Sequence, residues 1–105
     1  MDATTPALRL AFVAKLVAKD DTAGEVADLL TGALDLANAE AGTVVWFALR
    51  TDATTFWIVD AFADEDARQA HIGGPIAAAL MANADRLLAA PPEILPADVL
   101  AAKVP

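Results

Sequence analysis

From Leu8 to Ala18 the chain alternates with a period of two. Leu8, Leu10, Phe12, Ala14 and Leu16 fall on one side, and Arg9, Ala11, Val13, Lys15 and Val17 on the other. Successive side chains of a strand point to opposite faces, so this segment predicts a first strand. After Lys19-Asp20-Asp21 the period lengthens. Val26, Leu29, Leu30, Ala33, Leu34 and Ala37 recur at the spacing of one helix face, with Glu25, Asp28 and Asp35 off it. Thr22 with Glu25 reads as a capping box at the start of that helix. Gly42 reads as its stop, in left-handed backbone.

Thr43 to Phe62 holds two runs rich in Val, Phe, Trp and Ile around Thr51-Asp52-Ala53-Thr54, which predicts a β-hairpin. Both faces of both runs are apolar. An antiparallel sheet wetted on one side should alternate apolar with polar, so each face needs a cover. The chain's own helices can cover one. A second copy of the chain is the expected cover of the other, making a homodimer through the open sheet face. Next, Asp64 caps a short helix from Glu65 to Ile72, Gly73-Gly74 breaks it, and Pro75 opens another helix running to about Ala90. Ile76, Leu80, Leu87 and Leu88 mark its inner face. Pro91-Pro92 ends it, and Ala97 to Lys103 is the expected last strand. Met1 to Ala7 is a lead-in. The order is strand, helix, strand, strand, a helix split in two, strand. This is the α+β, ferredoxin-like βαββαβ sandwich, as one domain over residues 1–105.

Composition narrows the function classes. An apolar fraction of 57% excludes intrinsic disorder. No run of about 18 uncharged apolar residues predicts a membrane span, and no leader pattern opens the chain. The absence of cysteine removes thiol catalysis and fits a cytoplasmic location. A formal charge of −8 argues against nucleic acid and anionic membranes as partners. No Gly-rich phosphate loop, metalloprotease helix or serine-hydrolase elbow is present, and a single histidine makes a metal site unexpected.

Four kinds of position stand out. Asp60 is the one acid inside an apolar run, on the strand face of Phe56, Ile58 and Phe62. It is either a base made by desolvation or the partner of Arg9, Lys15 or Arg50 on a neighbouring strand. His71 is either a proton shuttle at a pocket mouth, a haem ligand, or a histidine bonded to a nearby helix end. Asn83 points along an apolar stripe, where its amide could hold a substrate oxygen or bond to backbone. Trp46 and Trp57, on adjacent strands, either stack on a flat ligand or pack a dimer seam.

The chain from Leu8 to Pro105 resembles the antibiotic biosynthesis monooxygenase family, dimeric α+β barrels. The resemblance rests on several segments. They are the strand Arg9–Lys19, Ala41-Gly42-Thr43 before the second strand, and Asp60-Ala61-Phe62-Ala63-Asp64 leading to Ala70-His71. The Pro91-Pro92 break and the closing Val99–Pro105 complete the set. The family's common form has Glu, one residue, then Trp where this chain has Asp60, Ala61 and Phe62. His71 matches a histidine frequent in the family. The resemblance implies a protomer pairing sheet to sheet, and in some members oxygenation of anthrones or quinols without flavin or metal. The Asn, Trp and Tyr of anthrone-oxidising members fall near Ile58, Phe62 and Arg68. The Asn, Trp and His of haem-degrading members fall at Ala14, His71 and Met81. Both sets are therefore missing. The expected function is a cofactor-independent monooxygenase acting with O2 on a phenolic or quinol-type polycyclic substrate. Asp60 and His71 would be catalytic, Asn83 would hold the oxyanion, and Phe62, Trp57 and Trp46 would line the pocket. The alternatives are a non-catalytic dimeric module that binds a small apolar molecule, and haem binding through His71.

Overall fold

The computed structural model describes residues 8–105; the expected lead-in lies outside the described residues. Four strands, β1 (Leu10–Val17), β2 (Thr43–Arg50), β3 (Thr55–Phe62) and β4 (Glu93–Asp98), form one sheet in the order β2-β3-β1-β4. All of its pairings are antiparallel. Helices α1 (Ala23–Gly32), α2 (Leu34–Asn38), α3 (Glu65–Ile72) and α4 (Pro75–Leu87) connect them. This is the α+β, ferredoxin-like architecture that the alternating periods predict, with both of its helices divided.

The β2–β3 hairpin is pinned at its turn, where Asp52 Oδ1 accepts from the backbone N–H groups of Thr54 and Thr55 at 3.0 and 2.9 Å. The register then fixes which face each side chain takes. Phe12 of β1 and Trp46 of β2 both pair with Asp60 of β3, so these three share a face with Leu16, Phe56 and Ile58. That face meets the helices. Leu16, Val26, Leu30, Phe56, Leu80 and Leu87 lie at the centre of the core between them. Burial of such side chains, worth about 1.5–3 kcal/mol each, is what holds the helices on the sheet.

The opposite face carries Val13, Phe47, Leu49, Trp57, Val59 and Leu95, with Lys15 and Glu93 as its charged members. Phe47 and Leu95 are 55% and 56% exposed. Among the described residues this apolar face is left open at Phe47, Leu49 and Leu95.

Several local expectations change. The first helix is divided at Ala33, whose N–H is shared between the carbonyls of Leu29 and Leu30. Val26, Leu30, Ala33 and Ala37 are buried, whereas Leu34 turns outward and is 48% exposed. Thr22 makes no side-chain cap. Its hydroxyl instead donates to Leu87 O at 2.6 Å and ties the start of α1 to the end of α4. Gly42 does not take left-handed backbone, since no glycine among the described residues has a positive φ. A Cβ at Gly42 would lie 2.6 Å from Ala67 Cβ, so glycine is needed there for close approach to α3. The last strand is Glu93–Asp98, not 97–103. Pro96 inside it pairs with Phe12, and an edge strand tolerates a residue without an N–H.

Candidate active site

The end of β3, the last turn of α3 and the loop between α2 and β2 meet at one point. Asp64, just beyond β3, caps α3 by accepting Ala67 N–H at 2.8 Å. That cap fixes the phase of the helix, and the phase turns His71, seven residues on, back toward the sheet. Gly42 lets α3 come close to the loop that carries Glu40. His71 then lies between two carboxylates. Its Nε2 is 2.9 Å from Asp60 Oδ2 and its Nδ1 is 2.5 Å from Glu40 Oε1. Asp60 and His71 are only 2% and 7% exposed. Asp60 Oδ1 also accepts the Phe12 backbone N–H at 3.3 Å, and Glu40 Oε1 accepts the Thr43 hydroxyl at 2.7 Å.

The proton inventory follows from the geometry. A neutral imidazole between two ionised carboxylates would aim one lone pair at a negative oxygen. The arrangement is satisfied when both ring nitrogens carry hydrogen, or when one carboxyl keeps the proton. Burial is the largest single influence on His71 and lowers its basicity. Hydrogen bonds to Asp60 and Glu40, together with their charges, outweigh burial and raise the pKa above its ordinary 6.5. With both nitrogens engaged, the ring keeps no free lone pair for a haem iron. Among the described residues no group of three or more His, Cys, Asp or Glu side chains is placed to hold a metal ion.

Two cavities meet at His71. The inner one lies between sheet and helices, walled by Phe12, Ile58, Asp60, His71, Ile76 and Ile94. It measures about 30 Å³, room for one or two water molecules. The outer one is a cleft of about 200 Å³ bounded by Glu40, Gly42, Thr43, Ala67, His71 and Pro75. Asp60 faces the first and Glu40 the second.

The expected site residues separate into two groups. Asp60 and His71 are in direct contact, and Asp60 has taken neither Arg9, Lys15 nor Arg50 as partner. Phe62 packs against His71, ring centroids 5.1 Å apart, but is fully buried behind it and does not wall the inner cavity. Trp46 shares the face of Asp60 and packs on Ala33, Ala37 and Ile76, but does not itself wall the inner cavity. Trp57 lies on the opposite face, its indole donating to Thr51 and Lys15 set over its ring, so it cannot join the others. Asn83 is also elsewhere. Its amide donates to Ala79 O at 2.7 Å and accepts from Arg86, beside Val26 and Leu87. Residues of a helix often satisfy a polar side chain on their own backbone, and this one does not wall the inner cavity where an oxyanion would form.

Glu40 and Phe12 are the residues that sequence reasoning missed. Glu40 extends the buried series Val26, Leu30, Ala33, Ala37 by one further step of three. An acid placed in phase with a buried stripe was its visible signal.

No protein-family model matches the chain, and no curated protein does. Solved structures do. A protein of unknown function from Nitrosomonas europaea is 55% identical, with a TM-score of 0.90 over 92% of this chain and 94% of that one. A candidate antibiotic biosynthesis monooxygenase from Caulobacter crescentus is 22% identical, with a TM-score of 0.77 over 89% and 91%. Another of that description, from Nitrosomonas europaea, is 15% identical, with a TM-score of 0.78 over 89% and 91%. The fold is therefore that of the proteins named as antibiotic biosynthesis monooxygenases, a ferredoxin-like sheet under divided helices. Within that fold, the chain belongs to one family with the 55% identical Nitrosomonas europaea protein of unknown function.

Proposed function

We propose that the chain is a cofactor-independent oxygenase in which Asp60, supported by His71, takes a proton from a small phenol or quinol. The observation that carries this reading is a fully buried carboxylate, paired with an imidazole, facing a cavity that is otherwise apolar. In such a place a carboxylate meets a ring hydroxyl without competing water. The phenolate that results is electron-rich enough to reduce O2 itself. With a phenol, one oxygen atom enters the ring as a second carbonyl and the other leaves as water, which carries off the hydroxyl hydrogen and one ring hydrogen; with a quinol, the product is the hydroxyquinone and one water. Phe12 and Ile76 would hold the ring. At about 30 Å³ the inner cavity favours a single ring over the polycyclic substrate expected from the family, and Ile72, Ile76 and Ile94 must part to admit even that.

The open sheet face supports a second copy as its cover, because a patch of Phe, Trp, Leu and Val side chains on this scale marks an interaction surface.

Oxygen uptake with reduced single-ring and two-ring quinols, and no added cofactor, tests the reading. Wild-type protein should consume O2 and place label from ¹⁸O2 in the product. Asp60→Asn should lower the rate by about 10²–10⁴-fold. Uptake that is absent across the panel, or unchanged in Asp60→Asn, overturns it. The small cavity favours one alternative, a non-catalytic module, which would show ligand binding without turnover.

A further inference from the structure

Reading Asp60 as the base leaves Glu40 without a task, yet its Oε1 meets the His71 ring directly, while Oε2 is buried without a partner. It approaches the ring from the loop between α2 and β2, on the side away from Asp60, and Thr43 holds the same oxygen that meets Nδ1. The opposite ring nitrogen is the one that touches the base.

We propose that Glu40 is a positioning residue: by accepting the Nδ1 hydrogen it fixes the ring plane, keeps the imidazole doubly protonated and aims Nε2–H at Asp60. The consequence lies at Asp60. A carboxylate 2% exposed among Phe12, Ile58 and Ile76 has little water around it and depends on protein donors for its hydrogen bonds. An N–H donor that cannot withdraw supplies one such bond at Oδ2, 2.9 Å away. One carboxylate could hold that donor only by sharing its own counter-charge. The second carboxylate supplies the charge that lets the imidazolium persist while Asp60 is used. The groups facing the ring are Asp60 from β3, Glu40 from the loop and the aromatic ring of Phe62. Ile76 of α4 packs nearby and is apolar. Arg68 on α3 is turned to Glu65, with which it pairs at 2.6 Å, and toward Ala11.

The chain has one histidine, so its ring nitrogens can be followed in the whole protein without assignment. Long-range ¹H–¹⁵N spectra recorded across a pH series need no substrate. In the wild type both nitrogens should be protonated at pH 7, and deprotonation should come at higher pH than for a free histidine. Glu40→Gln keeps an oxygen for Nδ1–H and for Thr43 but removes the charge. Its His71 midpoint should fall by about 1–3 units. Thr43→Val, which keeps the charge, should move it far less. If the wild type consumes oxygen, the alkaline limb of its pH profile should move to lower pH in Glu40→Gln together with that midpoint.

A wild-type ring that is neutral at pH 7, or a midpoint unmoved in a folded Glu40→Gln, overturns the proposal. Should Glu40→Gln not fold, the wild-type spectrum still decides it. The two readings fail separately: absence of oxygen uptake removes Asp60 as a catalytic base, whereas only the spectra bear on Glu40.

Discussion

Asp60, His71 and Glu40 reach one another from a strand end, a helix and a loop, and none of them would be stable in the interior alone. A buried charge costs several kcal/mol unless it is paired and hydrogen-bonded, which makes each of the three depend on the other two. The dependence has a pH signature. His71 has a folded-state pKa raised above its unfolded value of 6.5, because the hydrogen bonds and charges of Asp60 and Glu40 outweigh burial. The stabilisation it contributes is therefore complete below about pH 6.5 and is lost as pH rises through the folded-state value. Melting temperature should fall from pH 6 toward pH 9 in the wild type, and that slope should flatten in His71→Gln. A slope identical in both proteins would separate the triad from stability. At this scale the sequence was only partly legible. Asp60 stood out because it interrupts an apolar run, and His71 because it is unique. Glu40 did not stand out, because its role depends on a ring 31 residues away.

Among the elements, α3 controls the site, because its start and its approach to β2 set where His71 lies. Asp64 supplies the start, and its cap was readable directly, as an Asp before two acids and a helical segment. The approach depends on Gly42, and its sequence signal was misleading. A glycine following a helical stripe usually marks left-handed backbone, but here it marks contact. Gly42→Ala should set its Cβ against Ala67 at 2.6 Å and cost about 1–3 kcal/mol by chemical denaturation. Adding Ala67→Gly should recover part of that loss by relieving the contact, although glycine weakens the helix by about 1 kcal/mol. Strict additivity of the two substitutions would show that the residues do not meet. Asn83 misled in the reverse sense. Its place along the apolar stripe of α4 left open whether the amide meets a ligand or the backbone, and in the structure it is half-buried with the amide folded back onto Ala79.

For the whole molecule, the unresolved element of the design is the second face of the sheet. Phe47 on β2 and Leu95 on β4 stand near opposite edges of that face, both more than half exposed. If a second copy covers it, Phe47→Lys and Leu95→Glu should each shift the sedimentation coefficient from that of a dimer toward a monomer while the far-ultraviolet spectrum stays unchanged. A wild type that sediments as a monomer of 10.8 kDa at every concentration would leave the face without that cover. The edge strand β4 was misplaced in the sequence reading because Pro96 normally terminates a strand. Only its edge position, a property of the sheet order, makes the proline harmless.

The chain by itself determined its architecture, because the periods of two and 3.6 residues, the cap at Asp64 and the helix-opening Pro75 are local properties. Each is enforced by backbone geometry within a few residues. It also determined that both faces of the hairpin strands would be apolar. Tertiary structure alone decided which polar residues become a site. Register put Trp46 beside Asp60 and Trp57 on the far face, the α3 approach put His71 between two acids, and a backbone bond spent Asn83. Those outcomes depend on distances between segments far apart in sequence. In a packed interior a shift of one residue or one ångström exchanges a paired charge for an unpaired one, and no local pattern records that difference.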